Sequence, residues 1–231
     1  MSLGIPPSQE NTPDTRSDTD QQNSTNPPGI QLLDAIWRSP DRCHQLGILN
    51  RQSHQFKNLP VSGAADAVEQ ALKLSSQGTE VYFACAEYLT PNSRTAANAA
   101  GACGFWADVD VSEDKVATGK GYATVNEAED ALKQFCKDAG LPEPTHIAYS
   151  GGGLHVYWVV DGVISRDLWQ ASARNIKDLC KACGFLADDS RTADIASVLR
   201  VPGTLNHKFS PPRLVTLEYA SAECIDQSVM L

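Results

Sequence analysis

Several absences narrow the reading of this sequence before any motif is considered. No apolar run approaches the roughly 20 residues needed to span a bilayer, and no leader-like segment precedes the polar start, so a soluble, cytoplasmic protein without a membrane partner is expected. Basic residues are scarce: 19 Lys and Arg stand against 28 Asp and Glu, a net charge of −9, which argues against a tight, nonspecific duplex binder. The seven cysteines are odd in number and thinly spread, so no disulfide framework is expected. Cys180 and Cys183 form a CxxC, but "DLCKACGF" has a helical pattern and no second ligand pair has fitting spacing. A buried or helix-facing thiol pair is expected there rather than zinc. "ATGKGYA", around Lys120, is not followed by the GK[ST] of a phosphate-binding Walker loop, and Ser150 is not in a G-x-S-x-G nucleophile elbow. No repeat period is visible.

What is present is an apolar content of 42%, enough for one substantial core or two small ones. Residues 1–29, rich in Ser, Thr, Pro, Asn, Gln and Asp, read as a disordered tail. The tail carries part of the acidity, with Glu10, Asp14, Asp18 and Asp20 against Arg16. Residues 30–231 read as the folded domain, possible front part of a longer chain. "GAADAVEQALKLSSQG" (63–78), "TVNEAEDALKQFCKDAGLP" with its Thr cap and Gly140 stop, and "SRDLWQASARNIKDLCKACGF" read as helices. In the last of these, Leu168, Ala171, Ile176, Leu179 and Cys183 are expected to share the buried stripe. "EVYFACAEYL", "CGFWADVDV", "THIAYS", "LHVYWVV" and "RLVTLEYA" read as strands, and "SRTAANAAGA" as a turn or helix of small residues. Strands alternating with helices, with one hairpin among them, predict a mixed α/β fold.

Three stretches carry candidate chemistry. In "GFWADVDVSEDK", a strand would project Asp108 and Asp110 on one side and Ala107, Val109 and Val111 on the other. Carboxylates this close repel unless a proton or cation lies between them, and hard divalent ions take such ligands. Glu113 and Asp114 read as loop charges. In "YSGGGLHVYW", three glycines imply positive φ or close approach, and their free N–H groups would form an anion nest. His155, two residues beyond Gly153 and on the same face as Tyr157, could reach a phosphate cradled there. In "DSRTADIASVLRVPGTLNHK", Asp194 lies six residues before Arg200, and a rigid Pro-Gly turn leads to Asn206, His207 and Lys208, a loop suited to an anionic ligand. Each stretch alone also fits an ordinary solvated strand end, hairpin or surface loop.

Taken in order, D-x-D, S-x-G-x-x-H and D-x5-R-x-P-G-T-x-N-x-K over Val81 to Tyr219 resemble the archaeo-eukaryotic primase superfamily, in particular the primase-polymerase domains of phages and plasmids. The resemblance implies a catalytic core with an RRM-like mixed sheet and an N-terminal α/β module around a central active-site cleft. It implies two divalent ions, Mg²⁺ or Mn²⁺, on Asp108, Asp110 and Asp194, with Asp188 and Asp189 as rivals for the third place. Ser150, Gly152, Gly153 and His155 would bind the nucleotide's triphosphate, joined by Arg200, Asn206 and Lys208. The implied activity is primer synthesis and extension on a single-stranded DNA template from NTPs or dNTPs, in a bacterial or phage-infected cell, with a helicase domain or replisome partner. Arg94, Arg191 and Arg213 are candidates for gripping the template, and Tyr157 for lying near the sugar. A non-catalytic, single-stranded-DNA-binding initiator domain is the alternative. A DxD glycosyltransferase would not need the glycine–histidine hairpin, and a metal-dependent nuclease would degrade DNA without added nucleotides.

Overall fold

A computed structural model describes residues 26–91 and 93–231. The tail expected over residues 1–29 lies outside the described residues up to residue 25, and its boundary needs correcting. Pro28 and Gly29 already belong to helix α1 (Pro28–Ile36), which begins on a proline that needs no N–H partner. Gly29 is packed closely: a Cβ there would come within 2.7 Å of the Pro202 carbonyl and 2.9 Å of Val68. Leu32, Leu33 and Ile36 are buried below it.

The chain continues through β1 (His44–Asn50), β2 (Gln55–Val61), α2 (Ala64–Ser76), β3 (Glu80–Ala84), β4 (Glu87–Tyr88), β5 (Ala99–Asp110), α3 (Glu113–Ala117), α4 (Val125–Ala139), β6 (His146–Tyr149), β7 (Gly153–Ser165), α5 (Arg166–Ala182), α6 (Asp189–Thr192), β8 (Val198–Arg200), β9 (Leu205–Asn206), β10 (Arg213–Leu214) and β11 (Thr216–Ala220). Two larger sheets result, four strands in the order β2-β1-β3-β8 and five in the order β11-β6-β7-β5-β4, with β9 and β10 as a separate pair. Every named strand pair is antiparallel. The mixed α/β expectation holds.

The helices close where their caps dictate. The Thr124 hydroxyl accepts from the Glu127 N–H at the start of α4, and Gly140 ends it in the left-handed region. Phe135 of α4 stacks on Phe185 at 4.7 Å and meets Trp158 edge-on at 6.5 Å. On α5 the expected stripe holds at Ile176 and in part at Leu179 and Cys183, but not at Leu168 and Ala171. The buried positions are Trp169, Ser172, Ala173, Ile176 and Cys180, whereas Leu168 is 46% exposed. Trp169 sets this rotation: it stacks on Trp106 at 4.7 Å and donates to the Gly104 carbonyl at 2.8 Å. Cys180 is a buried free thiol and Cys183 a half-buried one, as a helix-facing pair requires.

Other departures have local causes. "EVYFACAEYL" splits, because β3 pairs with β1 whereas β4 pairs with β5. "SRTAANAAGA" holds a 3-10 turn at Ala96–Asn98 and then enters β5. "RLVTLEYA" breaks at Val215, whose N–H bonds the Thr204 carbonyl at 2.8 Å. Glu113 and Asp114 form the first turn of α3 rather than a loop. The β1–β2 hairpin, absent from the sequence reading, completes the four-stranded sheet. No helix among the described residues is long and apolar enough to cross a membrane.

Candidate active site

β5 and β7 pair so that Asp108 lies directly opposite His155, and Asp110 opposite Gly153. Cross-strand partners share a face, so both carboxylates and the imidazole emerge together, while Ala107 and Val109 are fully buried behind them. They open into a cleft of about 420 Å³ that is also lined by Ser150, Gly152, Arg200, Asn206 and Lys208. Its opposite wall carries Leu49, Phe56 and Tyr82 of the four-stranded sheet.

The acids are unequal. Asp108, with its side chain 25% exposed, is pushed up to about 7 by burial and by the charges of Asp110 and Asp188, against the pull of Arg191 and Lys208. Asp110 is paired with the Lys115 ammonium, which α3 brings back to the strand end. The returning chain closes on the same place. Tyr122 N–H donates to the Asp110 carbonyl at 3.0 Å, and a Cβ on Gly121 would lie 2.4 Å from that oxygen. His155 Nε2 is 3.7 Å from Asp108 Oδ1, beyond hydrogen-bond range, and Nδ1 is buried with no partner among the described residues. Burial, with Arg200 and Lys208 nearby, lowers His155 to about 3, so the imidazole is neutral at pH 7.

Asp114 lines the cleft beside this pair, whereas Asp188 lies with Asp110 and Lys115 in an adjoining groove, from which its charge acts on Asp108. The Asp188 N–H donates to the Asp108 carbonyl at 2.7 Å, and its side chain caps α6 by accepting from the Ser190 N–H at 2.8 Å and hydroxyl at 2.6 Å. Burial raises its pKa, but the Ser190 bonds, Arg191 and Lys115 outweigh that and hold it below the usual value. Asp194, expected at this place from its spacing to Arg200, does not line the cleft. Its carboxylate closes its own turn by accepting from the Ala196 N–H at 2.9 Å, and its charge acts on Cys85 and Tyr88. Asp189 is half-exposed and paired with Lys181 at 3.0 Å. The structure thus brings Asp188 beside Asp108 and leaves Asp194 and Asp189 elsewhere. Among the described residues, no three metal-ligating side chains already converge on one point.

The glycine turn is shaped by its neighbours. Gly151 has φ +83°, and a Cβ there would meet Asn206 and Arg213 at 3.0 and 3.1 Å. A Cβ on Gly153 would fall 2.0 Å from the Val109 carbonyl, so only glycine lets β7 enter beside β5 at the acid pair. The Ser150 hydroxyl donates to the Gly153 carbonyl at 3.1 Å and is spent on the turn's shape. Among the described residues no acceptor is bonded to the N–H of Gly151 or Gly152. Asn206 donates to the Ser150 carbonyl at 2.7 Å and Arg213 to the Gly151 carbonyl at 2.8 Å, so the segment after β8 straps the turn from outside.

The overall fold is shared with solved structures. The AEP domain of the cyanophage S-2L primase-polymerase superimposes with a TM-score of 0.61 at 16% identity, over 88% of this chain and 94% of that one. The catalytic domain of primase RepB′, in complex with initiator DNA, gives 0.52 at 15% identity over 88% and 92%. This chain has the archaeo-eukaryotic primase fold. No protein-family model matches it. A curated relative, a replication protein of Clostridium perfringens, is 30% identical over 70 residues, which is 29% of this chain and only 16% of that protein.

Within this primase fold, the remaining expected residues differ in how free they are. Arg200 is buried, ion-paired with Glu80 and bonded to the Tyr82 hydroxyl at 3.2 Å, so its charge is already matched. Glu80 also holds Arg51 at 3.1 Å. Lys208 is exposed on the cleft rim and has no ion-pair partner among the described residues. Arg94 is bonded to Asn58 and to the Ala196 carbonyl, Arg213 lies over Phe209 at 3.8 Å, and Arg191 lines the cleft. Tyr157 is buried with an unpartnered hydroxyl. Sequence reasoning passed over Lys115, Glu80, Phe56 and Tyr82. Only Lys115 had a local signal, its five-residue separation from Asp110 across a Ser cap.

Proposed function

We propose that this domain is a nucleotidyltransferase that synthesises primers on single-stranded DNA, and extends them, from nucleoside triphosphates. The observation that carries the reading is the cross-strand pairing of Asp108 with His155, with the glycine turn one step further along the same cleft. The whole protein's partners, a helicase domain or other replisome component included, belong to the same proposal, as do a bacterial or phage-infected cytoplasm and use of either NTPs or dNTPs.

The donor set fits divalent cations of the Mg²⁺ or Mn²⁺ kind. Asp108, Asp110 and Asp188 offer hard oxygens, and burial, with repulsion from Asp110 and Asp188 added to it, lifts Asp108 so that its ionised form calls for a cation. These three side chains would hold two ions, Asp188 taking the place first assigned to Asp194. When bound, such ions would lower the pKa of an attacking 3′-hydroxyl and neutralise the triphosphate.

The chain's own residues then have positioning roles, and no protein nucleophile is required. The N–H groups of Gly151 and Gly152, without an acceptor among the described residues, would be the turn's donors to a phosphate. His155, neutral, donates one ring N–H rather than charge. Lys208 is the exposed cation of the rim, and Ser150 and Asn206 hold the turn in shape. Arg200 acts by fixing Tyr82 in the cleft wall, since its guanidinium is already paired with Glu80.

The test is incubation with single-stranded DNA and labelled NTPs or dNTPs, with Mg²⁺ or Mn²⁺. Labelled product from wild type and none from Asp108→Asn is expected. Retained DNA binding with no incorporation under any ion would favour the non-catalytic initiator reading instead.

A further inference from the structure

One wall of the cleft is left unused by the phosphate-directed residues. Register places Gly47, Tyr82 and Arg200 side by side across β1, β3 and β8, with the Leu49–Phe56 pair next along the same face. Phe56 is a large apolar side chain on the edge strand β2, yet it is 41% exposed and lines the cleft. A ring normally held by burial is held here by a gap. A Cβ on Gly47 would come within 2.4 Å of Phe56 Cζ, so the ring tip rests where residue 47 has no side chain. The Arg94 guanidinium lies 5.2 Å from the Phe56 ring centre, and Arg200 lies 4.8 Å from that of Tyr82. Tyr82 and Phe56 are 6.4 Å apart.

This wall is aromatic, flanked by guanidinium groups whose hydrogen bonds are already made, and it faces a wall of acids, backbone donors and a lysine. A nucleotide has the same division, one planar apolar ring and one multiply charged phosphate end. Base–aromatic stacking tolerates any base, because each offers a π-face. A cleft of about 420 Å³ is at the small-ligand end of the usual range, roughly 300–1,000 Å³.

We propose that Phe56, laid over Gly47, is a stacking platform for a nucleobase held in the cleft, with Tyr82 as its flank. The proposal rests on the nucleotidyltransferase reading for its ligand class. The nucleobase has two sources, the incoming triphosphate and the template strand.

The experiment uses two fluorescent probes with Mg²⁺: 2-aminopurine deoxyribonucleoside triphosphate, and a single-stranded oligonucleotide carrying one 2-aminopurine. Stacking quenches either. Wild type, Phe56→Leu, Phe56→Trp and Gly47→Ala are compared, with thermal unfolding to check that each is folded. Phe56→Leu, apolar but not aromatic, is expected to weaken binding of one probe by about 5- to 100-fold. Phe56→Trp should match or exceed wild type, and Gly47→Ala, which lifts the ring, should weaken the same probe. Loss confined to the triphosphate identifies the incoming base, and loss confined to the oligonucleotide identifies the template base. Equal quenching and affinity in wild type and Phe56→Leu for both probes would overturn the platform alone. A wild type that binds neither probe overturns the platform and the nucleotidyltransferase reading together.

Discussion

The two facing walls of the cleft are both antiparallel sheets, yet they hold their polar groups in opposite ways. On the five-stranded sheet, Asp108 is crowded by like charges and His155 keeps an unpartnered nitrogen. On the four-stranded sheet, Glu80 is clasped by Arg200 and Arg51, and Arg200 is also bonded to Tyr82. One wall is left electrostatically unsatisfied, and the other is satisfied from within. Unsatisfied groups in a concave site cost stability and are kept where a ligand completes them, so the difference separates the chemical wall from the shape-giving wall.

The sharpest way to break that contrast is to neutralise an unsatisfied group. Asp108→Asn should reduce nucleotide incorporation by on the order of a thousandfold, while urea unfolding shows stability unchanged or slightly higher, since a repelling charge is gone. A large loss of stability would put Asp108 with the structural charges instead.

Acid should distinguish the five-stranded sheet as well. Burial lowers His146 of β6 to about 4. Its folded pKa lies below the unfolded value of roughly 6.5, so the unfolded chain binds the extra proton and stability rises with pH across that window. The contribution is complete above about pH 6.5 and lost on descending toward pH 4, amounting to about 3 kcal/mol. Urea titrations of wild type and His146→Gln between pH 4 and 7 should converge at the acid end. Parallel curves would refute it.

The third acid comes next in size. Asp188→Asn should cost incorporation on the order of a hundredfold, with Asp194→Asn within a few-fold of wild type. The reverse ranking would restore Asp194 to the cleft. Smallest is Lys115→Met, which removes the ammonium from Asp110 and should tighten Mn²⁺ binding by about two- to fivefold in calorimetry. Weaker binding would make Lys115 a supporting residue rather than a competitor.

The same contrast explains what could be read before the coordinates. Acids on alternate residues, a glycine turn before a histidine and a Pro-Gly loop are each contained within one short segment, so they stand out as local patterns. The strands that bear them, and helix α4 with its Thr124 and Gly140 caps, were legible through local periodicity and stop signals. The opposite wall depends on pairings between distant segments: Phe56 has meaning only beside Gly47, and Glu80 only beside Arg200. Nothing within either segment announces its partner. Distance along the chain from Arg200 likewise says little about where Asp194 lies, since α6 intervenes and sets the Asp188 backbone against β5. On α5, a stripe counted from Leu168 missed that one tryptophan had to find Trp106.

Asn206 has a wider reach than its two side-chain bonds, to the Ser150 carbonyl and from the Lys208 N–H, suggest. It lies in β9, six residues beyond the end of β8 in the four-stranded sheet, and its amide grips the Ser150 carbonyl at the turn of the five-stranded one. The gap between the sheets is thereby stitched at the turn itself. A domain joined in this way cannot spread its two halves to admit a bulky ligand without first letting go of the loop that would greet the phosphate, so entry and grip are mechanically one event.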